Sequence, residues 1–333
     1  MPKLNPRLFL DDEYETYAGR RKQQILQTNQ KHSRRAERVA ADIANQLDRM
    51  ENIHFTYNAS RHERLWLVNS LGNFYELHWF SDVLRLIKGG KEASVYQCRA
   101  DPGLIANYIA AKIYRPRKFR NLKNDHLYRE GRYDLGADGL VILDDGMQHA
   151  MRKRTAYGLE LLHTSWIEHE VKTLNLLHSA GADVPKAYTS GDNAILMEYI
   201  GDEDIAAPTL NTLELNSREA RGLFERVLWN IEIILANGRI HGDLSAFNIL
   251  YWQGTITLID FPQAISPHEN RSAYWIFQRD VRRICEYFSA QGVRCDAVKI
   301  ARELWMAHHL KLAPEPDSRW LDEAYESGRE SML

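Results

Sequence analysis

His241-Gly242-Asp243-Leu244-Ser245-Ala246-Phe247-Asn248-Ile249-Leu250, followed by Leu258-Ile259-Asp260, is the stretch on which the reading of this chain turns. Asp243 and Asn248 stand in D-x-x-x-x-N spacing, and two short apolar runs lead on to a second carboxylate, Asp260. Two carboxylates and an amide in this order suit phosphoryl transfer, in which the protein's work is positioning and charge neutralisation. Asp243 can receive the proton of an attacking hydroxyl. Asn248, through its carbonyl oxygen, and Asp260, at the end of an apolar strand over 256–259, can hold a hard divalent ion, which prefers oxygen ligands. Singly, each would be an ordinary turn acid or cap. Their joint spacing carries the argument.

Just upstream, residues 218–236 show the clearest helical spacing: Leu223, Val227, Ile231, Ile234 and Leu235 form a core stripe, and Asn237-Gly238 supply a stop. Two further helical patterns follow Asp260, over about 275–288 and 296–309. Earlier in the chain the pattern is that of strands: Val83-Leu84-Arg85-Leu86-Ile87, Ser94-Val95-Tyr96-Gln97-Cys98 and Ile109-Ala110-Ala111-Lys112-Ile113-Tyr114, with Lys88–Ala93 as a hairpin loop between the first two. Trp166, Glu170, Leu174 and Leu177 share one side of a helix that Gly181 and Pro185 stop, and strands at Ala187-Tyr188-Thr189 and 194–200 come next. Residues 115–162 are polar, basic and Gly-punctuated, and read as a long loop or insertion. A strand-rich first half and a helix-rich second half predict an α+β protein of two lobes, the first an antiparallel sheet plus a helix, the second mainly helical.

Lys112 sits inside an apolar strand, where a lysine must find an anion or bear the cost of desolvation. Nucleotide phosphates are the natural partner, with a snorkelling surface lysine as the bland alternative. Glu170 lies on the apolar side of its helix, so a Lys112–Glu170 ion pair answers both difficulties; Glu168 is a rival that faces another way. In the loop Lys88–Ser94, Gly89 and Gly90 permit a tight turn, and Lys91 and Ser94 could contact phosphate, although the loop matches neither G-x-G-x-x-G nor a Walker A motif. Met197-Glu198-Tyr199-Ile200-Gly201 reads as a hinge between the lobes, with the Glu198 carbonyl and the Ile200 N–H facing an adenine edge and Met197 packing behind it.

The whole chain sets bounds on function. With 333 residues, 44% hydrophobic and 26% charged, and a formal net charge of −2, it shows no global basicity that would point to nucleic acid. Met1-Pro2-Lys3-Leu4-Asn5 begins no signal peptide, no run is long enough to span a bilayer, and Cys98, Cys285 and Cys295 have neither zinc spacing nor a full set of partners. The expectation is a reduced, cytoplasmic protein. Residues 1–60 differ from the rest: Asp11, Asp12, Glu13 and Glu15 precede Arg20, Arg21, Lys22, Lys31, Arg34, Arg35 and Arg38. That composition predicts a partly mobile arm whose 20–38 stretch is either a ribosome- or RNA-contacting element or a solvated helix. The organisation expected is an arm over 1–60, a first lobe over 61–200 with a helical extension and the 115–162 insertion, a second lobe over 201–312, and a polar tail over 313–333.

Together, Gly90-Lys91-Glu92-Ala93-Ser94-Val95-Tyr96, Lys112-Ile113-Tyr114, Trp166 with Glu170, Met197–Gly201, His241–Ser245 with Asn248, and Ile259-Asp260 resemble the RIO family of atypical protein kinases, in the branch without an N-terminal winged helix. The resemblance covers about residues 80–290. It implies a two-lobed protein-kinase-like fold, ATP with Mg²⁺ or Mn²⁺, serine-directed autophosphorylation or transfer to a protein substrate, and a slow ATPase cycle in which Asp260 is also a transient phosphate acceptor. Ribosome small-subunit maturation is the context known for such proteins, and it transfers to this chain by analogy alone.

Departures from the general kinase pattern have physical readings. Gly242 replaces the Arg of H-R-D, so the cation that receives an activation-loop phosphate is absent, and no A-P-E follows Asp260. Ser245 stands where many serine kinases place a Lys, which leaves one positive charge fewer there and predicts slow turnover. Pro262 occupies the Gly position of D-F-G and hinders a backbone flip. The basic residues Arg115, Arg117, Lys118, Arg120, Lys123, Arg152, Lys153 and Arg154 resemble a mobile loop of that family with extra length. Two competing readings stand beside this one. A small-molecule kinase of the aminoglycoside or choline phosphotransferase type shares H-G-D-L…N-I-L…I-D-F, but such enzymes usually place a large helical substrate domain after the metal carboxylate, and 73 residues follow Asp260 here. A nucleotide-gated binding scaffold would need little catalysis.

Overall fold

The computed structural model describes residue 53 and residues 55–115, 128–191 and 193–311. The expectations for the basic stretch 20–38, for Arg117, Lys118, Arg120 and Lys123, and for the tail over 313–333 lie outside the described residues. The chain divides into two units, the first comprising residues 1–54 and 59–72 and the second all the rest. Ser60 opens helix α1 (Arg61–Glu76) by accepting the Arg64 N–H at 2.8 Å, and within the first unit Arg64 Nη2 donates to the Ile53 carbonyl at 3.1 Å.

The second unit begins with a five-stranded antiparallel sheet. Its strands are β1 (Phe80–Gly89), β2 (Ala93–Ala100), β3 (Tyr108–Tyr114), β4 (Ala187–Gly191) and β5 (Ala194–Glu198), in spatial order β1-β2-β3-β5-β4. The near-continuous apolar run of β3 fits its place as the middle strand, buried along almost its whole length. Phe55–Tyr57, which the composition placed in the arm, instead lie along β1, with the Tyr57 N–H donating to the Val83 carbonyl and Thr56 bonded to Asp82.

The segment read as a loop over 115–162 contains helical structure. Asp144 caps helix α2 (Asp145–Arg152) by accepting the Met147 N–H, and Thr155 caps helix α3 (Ala156–Ser179) by accepting the Gly158 N–H. Helix α3 therefore starts ten residues before Trp166, the first position of the recognised apolar stripe.

Beyond β5 the structure is mainly helical: α4 (Ser217–Ala236), α5 (Ala273–Ala290) and α6 (Ala297–Ala307), with one hairpin, β6 (Ile249–Trp252) and β7 (Thr255–Leu258). Asn216 and Asp296 cap α4 and α6 through their side chains. The stripe Leu223, Val227, Ile231, Ile234 and Leu235 joins Val281, Ile284 and Phe288 of α5 and Trp305 of α6 in one core. The α+β two-lobed architecture is thus as the sequence implies. Among the described residues no helix is long and apolar enough to cross a membrane.

Candidate active site

The β6–β7 hairpin sets the spacing of the site. Ile249 pairs with Leu258 at its open end, so Asn248 immediately precedes one strand and Asp260 lies two residues beyond the other. The Ile259 N–H donates to the Asn248 carbonyl at 2.9 Å and ties the two positions together. Asp260 has φ 73°, a left-handed conformation uncommon for a residue other than glycine, and one that often marks a functional site.

Lys112 and Glu170 meet as the desolvation argument requires. Lys112 Nζ lies 2.7 Å from Glu170 Oε1 and 2.6 Å from Asp260 Oδ1, and Glu170 is buried to 1% exposure. Tyr114 Oη donates to the other Glu170 oxygen. Burial alone would lower the Lys112 pKa, but the Asp260 and Glu170 carboxylates outweigh it and raise it well above the usual lysine range. The same pairing works in the opposite direction on Asp260. Crowding by protein pushes its carboxyl up, while Lys112 and its hydrogen bond pull it down, and the net shift is downward. Lys88, exposed near the end of β1, adds to that downward pull. Glu168 bonds Ser190 Oγ at 2.7 Å and takes no part.

Around Asp243 the loop is held from several sides. His241, buried, directs Nε2 to the Ile259 carbonyl at 3.1 Å and Nδ1 to the Asp243 N–H at 3.3 Å, an arrangement satisfied by the Nε2–H tautomer. Asn248 Nδ2 donates to the Asp243 carbonyl at 2.8 Å, which leaves the amide oxygen as the group suited to a hard cation. Gly242 has φ 85°, and a Cβ there would stand 2.2 Å from the Gln263 carbonyl oxygen, so a side chain at this position is excluded on both counts.

Comparison with known proteins bears on this geometry. Residues 143–301 match the family model described as the RIO domain. Over those residues, just under half of its length, the chain is similar to the RIO family. It is 28% identical over 309 residues to serine/threonine-protein kinase RIO1 of Chaetomium thermophilum, covering 88% of this chain and 53% of that relative. It is 30% identical over 142 residues to human serine/threonine-protein kinase RIO1, covering 42% of this chain and 24% of the relative. With RIO-type serine/threonine-protein kinase Rio1 of Haloferax volcanii it shares 28% identity over 214 residues, 63% of this chain and 64% of the relative. The chain spans about half the length of the Chaetomium relative and less than two thirds of the other two. These names favour the protein-kinase reading over the small-molecule one.

The hairpin before β2 is tight. The Gly90 N–H donates to the Ala93 carbonyl at 2.9 Å, and Gly89 pairs with Ser94, whose side chain is buried, while Lys91 is exposed. Met197 is buried opposite Ala110 of β3, and Glu198 pairs with Ile109. The Ile200 carbonyl accepts the Ala207 N–H, and Gly201 takes φ 142° where a Cβ would meet the Ile205 carbonyl at 2.4 Å. The hinge is further laced to the sheet: Arg85 Nη2 donates to Tyr199 Oη at 3.1 Å and Gln97 Nε2 to the Asp202 carbonyl at 3.2 Å.

The sequence reading missed the contribution of α5. Asp280 accepts the Gly242 N–H at 2.9 Å, Arg279 donates to the Gly242 carbonyl, and Arg283 Nη1 lies 2.8 Å from Asp243 Oδ1. Burial raises the Asp243 carboxyl above its ordinary range, with Arg283 opposing. One signal was available: Asp280 falls on the same helix face as Phe277, Val281, Ile284 and Phe288, where an unpaired carboxylate is costly. The positive charge that Ser245 fails to provide is therefore present nearby, brought by a helix 40 residues further along.

A divalent ion fits the donor set. Among the described residues no group of three or more His, Cys, Asp or Glu could hold a metal alone. Magnesium, however, is usually held by one or two carboxylates together with substrate phosphates, and Asn248 and Asp260 would offer one amide oxygen and one carboxylate to such shared ligation.

Proposed function

We propose that this chain is an ATP-dependent serine/threonine protein kinase whose phosphoryl acceptor is a protein hydroxyl, its own or a partner's. The observation that carries the reading is Lys112 bonded to both Glu170 and Asp260, because it gathers one cation and two carboxylates, distant in sequence, at a single place. Lys112 neutralises nucleotide phosphates, with Glu170 and Tyr114 fixing its direction. Asn248 and Asp260 would hold Mg²⁺ or Mn²⁺, which when bound would neutralise charge on the phosphate oxygens. In this reading the Glu198 carbonyl and Ile200 N–H meet the adenine edge, with Met197 behind, and the hairpin of Gly89, Gly90, Lys91 and Ser94 covers the phosphates. Asp243 takes the proton of the acceptor hydroxyl as that oxygen bonds to the γ-phosphorus. The bond from phosphorus to the β,γ-bridging oxygen breaks with its electron pair leaving on ADP.

Incubation with γ-labelled ATP and Mg²⁺, followed by mapping of the label, tests this. Label on serine or threonine is expected, and Asp243→Ala should abolish it while sparing ATP binding. Label appearing only on an added small molecule, or persisting in Asp243→Ala, sinks the reading. Label on Asp260 would add the phosphate-acceptor role that the family resemblance suggests. A ribosomal or RNA partner for the 20–38 stretch belongs to the same proposal. Its deletion should weaken ribosome association and flatten its salt dependence, and an unchanged salt slope excludes it.

A further inference from the structure

The catalytic loop of this chain is gripped by one helix through three charged side chains, and only two of them serve the backbone. Positions 279, 280 and 283 of α5 face the loop together: Arg279 and Asp280 bond the carbonyl and N–H of Gly242, while Arg283 reaches past them to the side chain of Asp243. Arg279 is tied as well to Tyr128 Oη at 3.1 Å and to Asp280 at 3.2 Å, so its position is over-determined. Arg283 differs. Among the described residues its guanidinium bonds Asp243 alone, its side chain is 17% exposed, and the Asp243 carboxylate is 38% exposed. A buried arginine anchoring backbone is a packing device. A nearly buried arginine bonded to one oxygen of a half-open carboxylate orients that carboxylate.

We propose that Arg283 is a positioning residue for phosphoryl transfer. By holding Asp243 Oδ1 it turns Oδ2 towards the acceptor hydroxyl, and it supplies from α5 the cation that Ser245 withholds from the loop. Asn248 Nδ2 also donates to Asp243 Oδ2, but at 3.3 Å, longer than the 2.8 Å bond from Arg283, so it holds the carboxylate more weakly. Without Arg283 the carboxylate can rotate, and small errors of placement at a reacting group cost large factors in rate. The guanidinium forms and breaks no bond; it fixes which oxygen of Asp243 receives the proton. The inference rests on the kinase reading above.

The test uses the full chain with Arg283→Gln and Arg283→Lys, both long enough to fill the same space. Steady-state phosphotransfer from ATP is measured beside affinity for a non-hydrolysable ATP analogue and thermal midpoint. Arg283→Gln is expected to lower kcat roughly ten- to hundredfold, with analogue affinity within about twofold of wild type, and Arg283→Lys to recover most of the loss. A kcat unchanged in Arg283→Gln overturns the proposal, as does a Lys variant no better than Gln. So does a fall in kcat matched by an equal fall in the folded fraction or in analogue affinity, since that is a structural effect. Wild-type protein that transfers no phosphate sinks the kinase reading itself. An active wild type with indifferent Arg283 variants sinks this inference alone.

Discussion

Lys112 Nζ and Asp260 Oδ1 stand 2.6 Å apart, so the cation proposed for the nucleotide phosphates and the carboxylate proposed for the metal neutralise one another. Glu170 holds the same ammonium from the other side, and it is the more deeply buried of the two carboxylates. Removing the lysine therefore leaves one buried charge without its partner. Lys112→Met should cost about 3–5 kcal/mol in a denaturant titration, and Lys112→Met combined with Glu170→Leu should recover much of it. A single variant that costs less than about 1 kcal/mol would show that Tyr114 and solvent already satisfy Glu170.

Gly242 links the catalytic loop to the segment that follows Asp260. With φ 85° and the Gln263 carbonyl 2.2 Å from a built Cβ, even alanine forces the two segments apart. Gly242→Ala should destabilise the fold by about 1–3 kcal/mol and depress phosphotransfer more than nucleotide affinity. Equal losses of both would mean that the change spreads beyond the loop. Gly242 is therefore more than the absence of an H-R-D arginine: its backbone is bonded by Arg279 and Asp280, and a side chain has nowhere to go.

How far the sequence discloses this depends on the kind of contact. Lys112 and Glu170 are 58 residues apart, yet each violates its apolar surroundings, and pairing them resolves both violations. The strands of the sheet are legible for a similar reason, because β3 is apolar throughout except for Lys112. Helices α2 and the start of α3 are not, since Asp145–Arg152 buries only Met151 and shows too few apolar residues for a period; Asp144 and Thr155, as caps, were the readable trace. Arg283 is the hardest case. A charged residue on an amphipathic helix reads as its solvent face, and nothing local tells that the face is turned towards Asp243.

His169 provides a pH dependence separate from catalysis. Burial lowers its pKa from the usual histidine range to about 4; the hydrogen bond to the Tyr133 carbonyl opposes this, and Arg132 and Arg239 reinforce it. The unfolded chain protonates this histidine near pH 6.5, and the folded chain only near pH 4. Between those values the unfolded state binds more protons, so stability should fall as pH drops through that window. His169→Gln, which cannot titrate, should flatten the decline in thermal midpoint between about pH 6.5 and pH 4.5. An identical slope in wild type and variant would assign the acid sensitivity to other groups.

Arg132 bears on the expectation that Pro262 stiffens the segment after Asp260. Its Nη2 donates to the Pro262 carbonyl at 2.9 Å and also to the Ala264 carbonyl, so this stretch of backbone is clamped from outside as well as restricted from within. The proline limits φ at one residue, whereas the arginine fixes where the carbonyls point. If the clamp is the stronger constraint, Arg132→Ala should increase hydrogen exchange over residues 261–265 and weaken the metal dependence of nucleotide binding through Asp260. Pro262→Gly alone should then change exchange little, because both carbonyl contacts survive it. The reverse ranking, with Pro262→Gly loosening the segment and Arg132→Ala leaving it protected, would place the rigidity in the proline ring and make the arginine contact incidental.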